Sequence, residues 1–128
     1  MKFAALALDY DGTIATDGHF HADVRTAIGE ARDRGVAVIL VTGRRLADLR
    51  DVAGALDCFD VVVAENGAVL QFPQSRRHVL LGHRPPPAFL DALAARGVAF
   101  VAGESVVEAD AYWAGADRKS TRLNSSHT

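Results

Sequence analysis

A chain of 128 residues has room for one domain at most. Its 49% hydrophobic and 23% charged content is that of an ordinary globular chain. A net charge of −2 gives no basic footprint for nucleic acid or for an anionic membrane. The single cysteine, Cys58, excludes an internal disulfide and reads as a small buried hydrophobe.

The first apolar run, residues 3–8, stops at Asp9. It is too short for a signal-peptide core or a membrane span, which points to a reducing, cytoplasmic compartment. Together with residues 36–41 and 61–64 it forms a set of short, nearly continuous, valine-rich runs. Strands buried on both faces of a parallel sheet read this way. Between the first two, Val24, Ala27, Ile28 and Ala31 recur at helical spacing, with Gly35 placed as a C-terminal cap. Leu46, Leu49, Val52, Ala53 and Leu56 repeat the pattern before the third run. Strand–helix–strand–helix–strand implies right-handed crossovers and an α/β fold with a doubly wound parallel sheet.

Asn66-Gly67 then marks a turn, and residues 68–72 and 78–81 are expected to pair as a hairpin around 73–77. Pro85, Pro86 and Pro87 open a third helical pattern through Phe89, Leu90, Leu93 and Ala94, closed by Gly97. A fourth apolar run, residues 98–102, comes next.

Ligands of a doubly wound sheet bind beyond the carboxyl ends of its strands. The first strand delivers Asp9-Tyr10-Asp11-Gly12-Thr13 there, the second Thr42-Gly43-Arg44 and the third Glu65-Asn66-Gly67. One carboxylate of the Asp9/Asp11 pair can attack phosphorus while the other hands a proton to the leaving oxygen. A bare carboxylate repels a phosphate dianion, so a divalent cation is expected between them, and Mg2+ suits oxygen ligands and phosphate. Gly12 allows a sharp turn that brings N–H groups near the transferring oxygens. Thr42 offers a hydroxyl, Gly43 an unobstructed N–H and Arg44 a charge-assisted contact, the parts of a phosphate cradle.

The order D-Y-D-G-T, V-T-G-R, E-N-G-A resembles the haloacid dehalogenase-like hydrolases, specifically their Cof-like IIB branch, over residues 2–72 and more weakly to 116. The resemblance implies a magnesium-dependent phosphatase acting on a small phosphorylated metabolite, a sugar phosphate being the expected class. Asp9 would be the nucleophile and a metal ligand. Asp11 would be the general acid/base and would ligate the metal through its carbonyl, and Thr42 would bind the phosphoryl group. It further implies that residues 1–82 begin the catalytic core and that residues 83–116 begin a cap domain inserted after the third strand. The family's third-motif lysine and fourth-motif acid pair have no counterpart in this sequence, so the site is expected to be incomplete as given. The family's first strand is central, so its bare edge here is expected to be aggregation-prone.

Asp117 to His127 resembles the translation of a sequencing adapter, and residues 117–128 are accordingly set apart as a non-native tail. The same residues are also compatible with a phosphomutase of the same superfamily, a non-catalytic phosphate-binding remnant, or a signalling receiver domain. The receiver fits poorly, because its acceptor aspartate comes after the third strand, where Glu65 stands here. His19 and His21 read as solvated side chains of a short flap, residues 14–20. Nothing in the sequence fixes an oligomeric state.

Overall fold

The computed structural model describes residues 5–110 and the backbone of 122–124. A five-stranded sheet carries the fold, in spatial order β1 (Ala5–Asp9), β4 (Ala37–Val41), β5 (Val61–Ala64), β6 (Val69–Phe72) and β7 (Arg77–Leu80). The first three strands are parallel, and the β6–β7 hairpin adds antiparallel to β5. Between β1 and β4 come a two-stranded flap, β2 (Ala15–Thr16) with β3 (His19–Phe20), and helix α1 (Ala22–Asp33). Helix α2 (Leu46–Ala53) connects β4 to β5. Helix α3 (Pro87–Ala95) leads into a second, antiparallel sheet of β8 (Phe100–Ala102), β9 (Val107–Asp110) and β10 (Arg122–Asn124). This second sheet thus includes three residues of the segment 117–128 that the sequence sets apart as a tail.

Helix ends obey local chemistry. Helix α1 stops at Asp33, and Gly35 takes φ +84, the left-handed turn that a side chain resists. Helix α2 stops before Gly54, at φ +73. Arg25 on α1 caps the end of α2 by donating to the carbonyls of Ala53 (2.6 Å) and Ala55 (2.8 Å), while its guanidinium lies 4.3 Å from the centre of the Phe20 ring.

The burial of the sheet differs from the expectation of two covered faces. Val38 and Leu40 of β4, Val62 and Ala64 of β5 and Val69 of β6 are buried. They join Ile28 of α1 and Leu46, Leu49 and Ala53 of α2 in one apolar cluster. The intervening residues Ile39, Val61 and Val63 are only half-buried, and Val41 is exposed. Both crossovers step in the same direction across the sheet, so both helices lie on one face. Strand β1 departs furthest: among the described residues it pairs only with β4, and Leu6 is 43% exposed.

Among the described residues, no helix is long and apolar enough to cross a membrane.

Candidate active site

Parallel register sets the site. Asp9 lies opposite Val41, and Val41 opposite Val63, so the three chains leave the sheet side by side at its carboxyl end. The segments beyond these strand ends are thereby brought together: Tyr10-Asp11-Gly12 after β1, Thr42-Gly43-Arg44 after β4, and Glu65-Asn66-Gly67 just after β5.

The first turn is self-contained. Tyr10 O accepts from the amides of Thr13, Ile14 and Ala15 (3.0–3.3 Å), and Gly12 N–H donates to Ala15 O (3.0 Å) at φ +75. The Gly12 amide is therefore occupied, and the residue's contribution is the reversal of the chain. Tyr10 is fully buried between two exposed aspartates. Its hydroxyl donates to Gly18 O at 2.8 Å, and its ring meets Phe20 edge-on at 6.3 Å. Phe20 stacks on Phe59, also fully buried, at 5.7 Å. This aromatic column fixes the flap and the strand end that carries the aspartates. Burial pushes the Tyr10 phenol up from its ordinary pKa. Asp9 Oδ1 accepts the amide of Tyr10 at 2.9 Å.

Arg44 Nε and Nη2 grip both oxygens of Asp11 at 2.8 Å, a bidentate fork, and Nη1 reaches Asp48 at 2.8 Å one helical turn on. The hydrogen bond from Arg44 holds the Asp11 carboxyl below the usual carboxylate range, and the same bond raises Arg44. The expected contact of Arg44 with substrate is thus preceded by a contact with the neighbouring acid.

Thr42 is buried, and its Oγ1 accepts the Arg44 amide at 3.0 Å, shaping the loop and leaving the hydroxyl proton to donate. Two further bonds tie this loop to the third strand end: Glu65 N to Arg44 O (3.0 Å) and Asn66 N to Thr42 O (3.2 Å). Gly43 packs closely on Asn66: a Cβ there would stand 2.8 Å from Asn66 Oδ1, so that side chain would have to move.

The profile of the haloacid dehalogenase-like hydrolases matches residues 6–97. The chain belongs to this family. It is 39% identical over 64 residues to 5-amino-6-(5-phospho-D-ribitylamino)uracil phosphatase YcsE of Bacillus subtilis, covering 49% of this chain and 26% of the relative. It is 35% identical over 83 residues to phosphoglycolate phosphatase of Archaeoglobus fulgidus, covering 65% of this chain and 36% of the relative. A solved structure of a haloacid dehalogenase-superfamily sugar phosphatase, described as subclass IIB, shares the fold at a TM-score of 0.54 and 20% identity, over 80% of this chain and 42% of its own. The chain therefore spans less than half of each of these three proteins.

In this haloacid dehalogenase-like fold, two residues near the site were not legible as participants. Asp48 stands at i+4 from Arg44 on a helical pattern, a spacing that could have announced their pair. Glu65 is buried, with only 1% of its surface exposed, and its carboxylate is held by backbone amides of the β8–β9 turn. Only an acid placed at the end of an apolar strand hinted at that.

Proposed function

We propose that these residues form the nucleophile-bearing part of a phosphatase site that hydrolyses a small phosphorylated metabolite, a sugar phosphate in the first instance. The observation that carries the reading is the in-register exit of Asp9, Val41 and Val63 at one end of the sheet. That register brings a two-aspartate turn beside a threonine–glycine loop, and family membership supplies the chemistry.

On this reading the Asp9 carboxylate attacks phosphorus, forming an acyl phosphate as the P–O bond to the leaving alcohol breaks. Asp11 gives its proton to that alcohol oxygen. Water then attacks the acyl phosphate, Asp11 takes the proton, and inorganic phosphate leaves with Asp9 restored. The Thr42 hydroxyl and the Gly43 amide hold the phosphoryl oxygens. Arg44 turns from Asp11 to the substrate, since the acid step requires their pair to open.

The donors at hand are oxygens, which fit Mg2+: the Asp9 carboxylate and the Asp11 backbone carbonyl would hold it. Among the described residues no three His, Cys, Asp or Glu side chains gather, so these two aspartates would supply only part of the metal's shell. Bound magnesium would offset the charge between nucleophile and phosphate. A cytoplasmic setting accords with the single free thiol, Cys58. Residues 83–116 are read as the start of a substrate-selecting cap.

A second reading, phosphate binding without turnover, has one observation in its favour: both oxygens of Asp11 are engaged by Arg44.

The test is to read the coding DNA past codon 116 and assay the product with magnesium against a panel of sugar phosphates. Metal-dependent turnover abolished by Asp9→Asn is expected. Turnover that survives Asp9→Asn overturns it, and phosphate binding without turnover selects the second reading.

A further inference from the structure

Glu65 is the one fully buried acid among the described residues, and the proposed phosphatase chemistry does not use it. Its backbone is at φ +52, in the left-handed region, with Asn66 beside it at φ +58. A left-handed glutamate is uncommon and persists only where its surroundings hold it. It is held by a cradle of three consecutive amides. Glu65 Oε2 accepts from Glu104 N at 3.1 Å, and Oε1 accepts from Ser105 N at 2.9 Å and Val106 N at 3.1 Å. The cradle is fitted to the carboxylate from the other side as well. A Cβ on Gly103 would stand 2.6 Å from Glu65 Oε1, and Gly103 N closes the turn on Val106 O at 2.8 Å. Val106 and Val107, next along the chain, are buried.

The main chain at 65 and 66 has different partners. Glu65 N holds Arg44 O, and Asn66 N holds Thr42 O. One residue thus grips the second sheet with its side chain and the Thr42–Arg44 loop with its main chain.

We infer that Glu65 is a positioning residue that couples the β8–β9 turn to the Thr42–Arg44 loop, so that the second sheet sets the geometry of that loop. Three amides converging on one carboxylate stabilise the otherwise unfavourable left-handed backbone at 65 and 66. That backbone aims the two amides that hold the loop. The coupling itself depends only on these contacts. Its consequence for phosphate rests on the proposed role of Thr42 and Gly43 in holding the phosphoryl oxygens.

Amide hydrogen exchange on the whole chain tests it, comparing the wild type with Glu65→Ala, Glu65→Gln and Gly103→Ala. Glu65→Ala is expected to speed exchange at least about tenfold at Glu104, Ser105 and Val106 and, with them, at Arg44 and Asn66, leaving Leu40 and Val62 protected. Gly103→Ala, which touches neither strand end of the loop, is expected to do the same at both places. Faster exchange at 104–106 alone, or no change, overturns the inference. If Glu65→Ala exposes Leu40 and Val62 as well, Glu65→Gln decides. It keeps Oε1 but opposes an NH2 to Glu104 N–H, so Glu104 and Asn66 exchanging faster together support coupling, and Glu104 alone refutes it. Orthophosphate added to the wild type reports separately. If the Thr42 and Gly43 amides fail to shift while the coupled exchange holds, the phosphate reading fails and the coupling stands.

Discussion

Replacing Tyr10 by phenylalanine removes one oxygen from the fully buried side chain that separates the two aspartates. The ring stays, and with it the edge contact to Phe20 at 6.3 Å. The loss is the 2.8 Å bond to Gly18 O, which fastens the flap to the strand end. A hydrogen bond of this kind contributes about 1 kcal/mol net, and a carbonyl left buried and unpaired would cost more. Gly18 is only half-buried, so water can reach its carbonyl, and the lower value applies. Removing the ring too, in Tyr10→Ala, adds cavity and transfer costs of about 3–5 kcal/mol. With a urea m-value of about 1–3 kcal/mol/M, Tyr10→Phe should lower the unfolding midpoint by roughly 0.3–1 M at unchanged m, and Tyr10→Ala several times as much. Urea titration monitored by far-ultraviolet circular dichroism measures both. A Tyr10→Phe midpoint equal to wild type, or a loss as large as that of Tyr10→Ala, would refute the division of labour between hydroxyl and ring.

Two further outcomes are expected, from the edge strand and from the thiol. Leu6→Lys places a charge on exposed β1, whose open side pairs with nothing among the described residues. It should raise the soluble fraction on expression and lower light scattering, and an unchanged soluble fraction would show that the edge does not drive association. Burial pushes the Cys58 thiol up, so less thiolate is present at any given pH. Iodoacetamide at about pH 8, near the ordinary thiol pKa, should therefore label it more slowly in the folded chain than in urea. Because the folded value is the higher one, the stability it adds is complete below the unfolded thiol's pKa and is lost as pH rises through the folded one. Equal labelling rates in the two states would contradict the burial.

The order of strands and helices was written locally. Valine-rich runs, helical spacing of Val24, Ala27, Ile28 and Ala31, and glycines at 35 and 97 each act within a few residues, and each landed where the sequence puts it. Where Asp9 and Thr42 emerge was equally legible, because a strand's carboxyl end fixes it. The destinations of their neighbours' side chains were not. The sequence points Arg44 toward substrate, but it lies on Asp11, 33 residues away, because the parallel pairing of β1 with β4 brings their ends together. In sequence Glu65 belongs to a turn at the ligand end, yet its carboxylate is held by amides 39 to 41 residues further on. Sequence by itself determines local conformation and the identity of the reactive groups, since propensity and spacing act at short range. Which charge meets which, and which sheet face is covered, is decided only when distant segments pack. The energy that selects those partners is that of contacts absent until the fold exists.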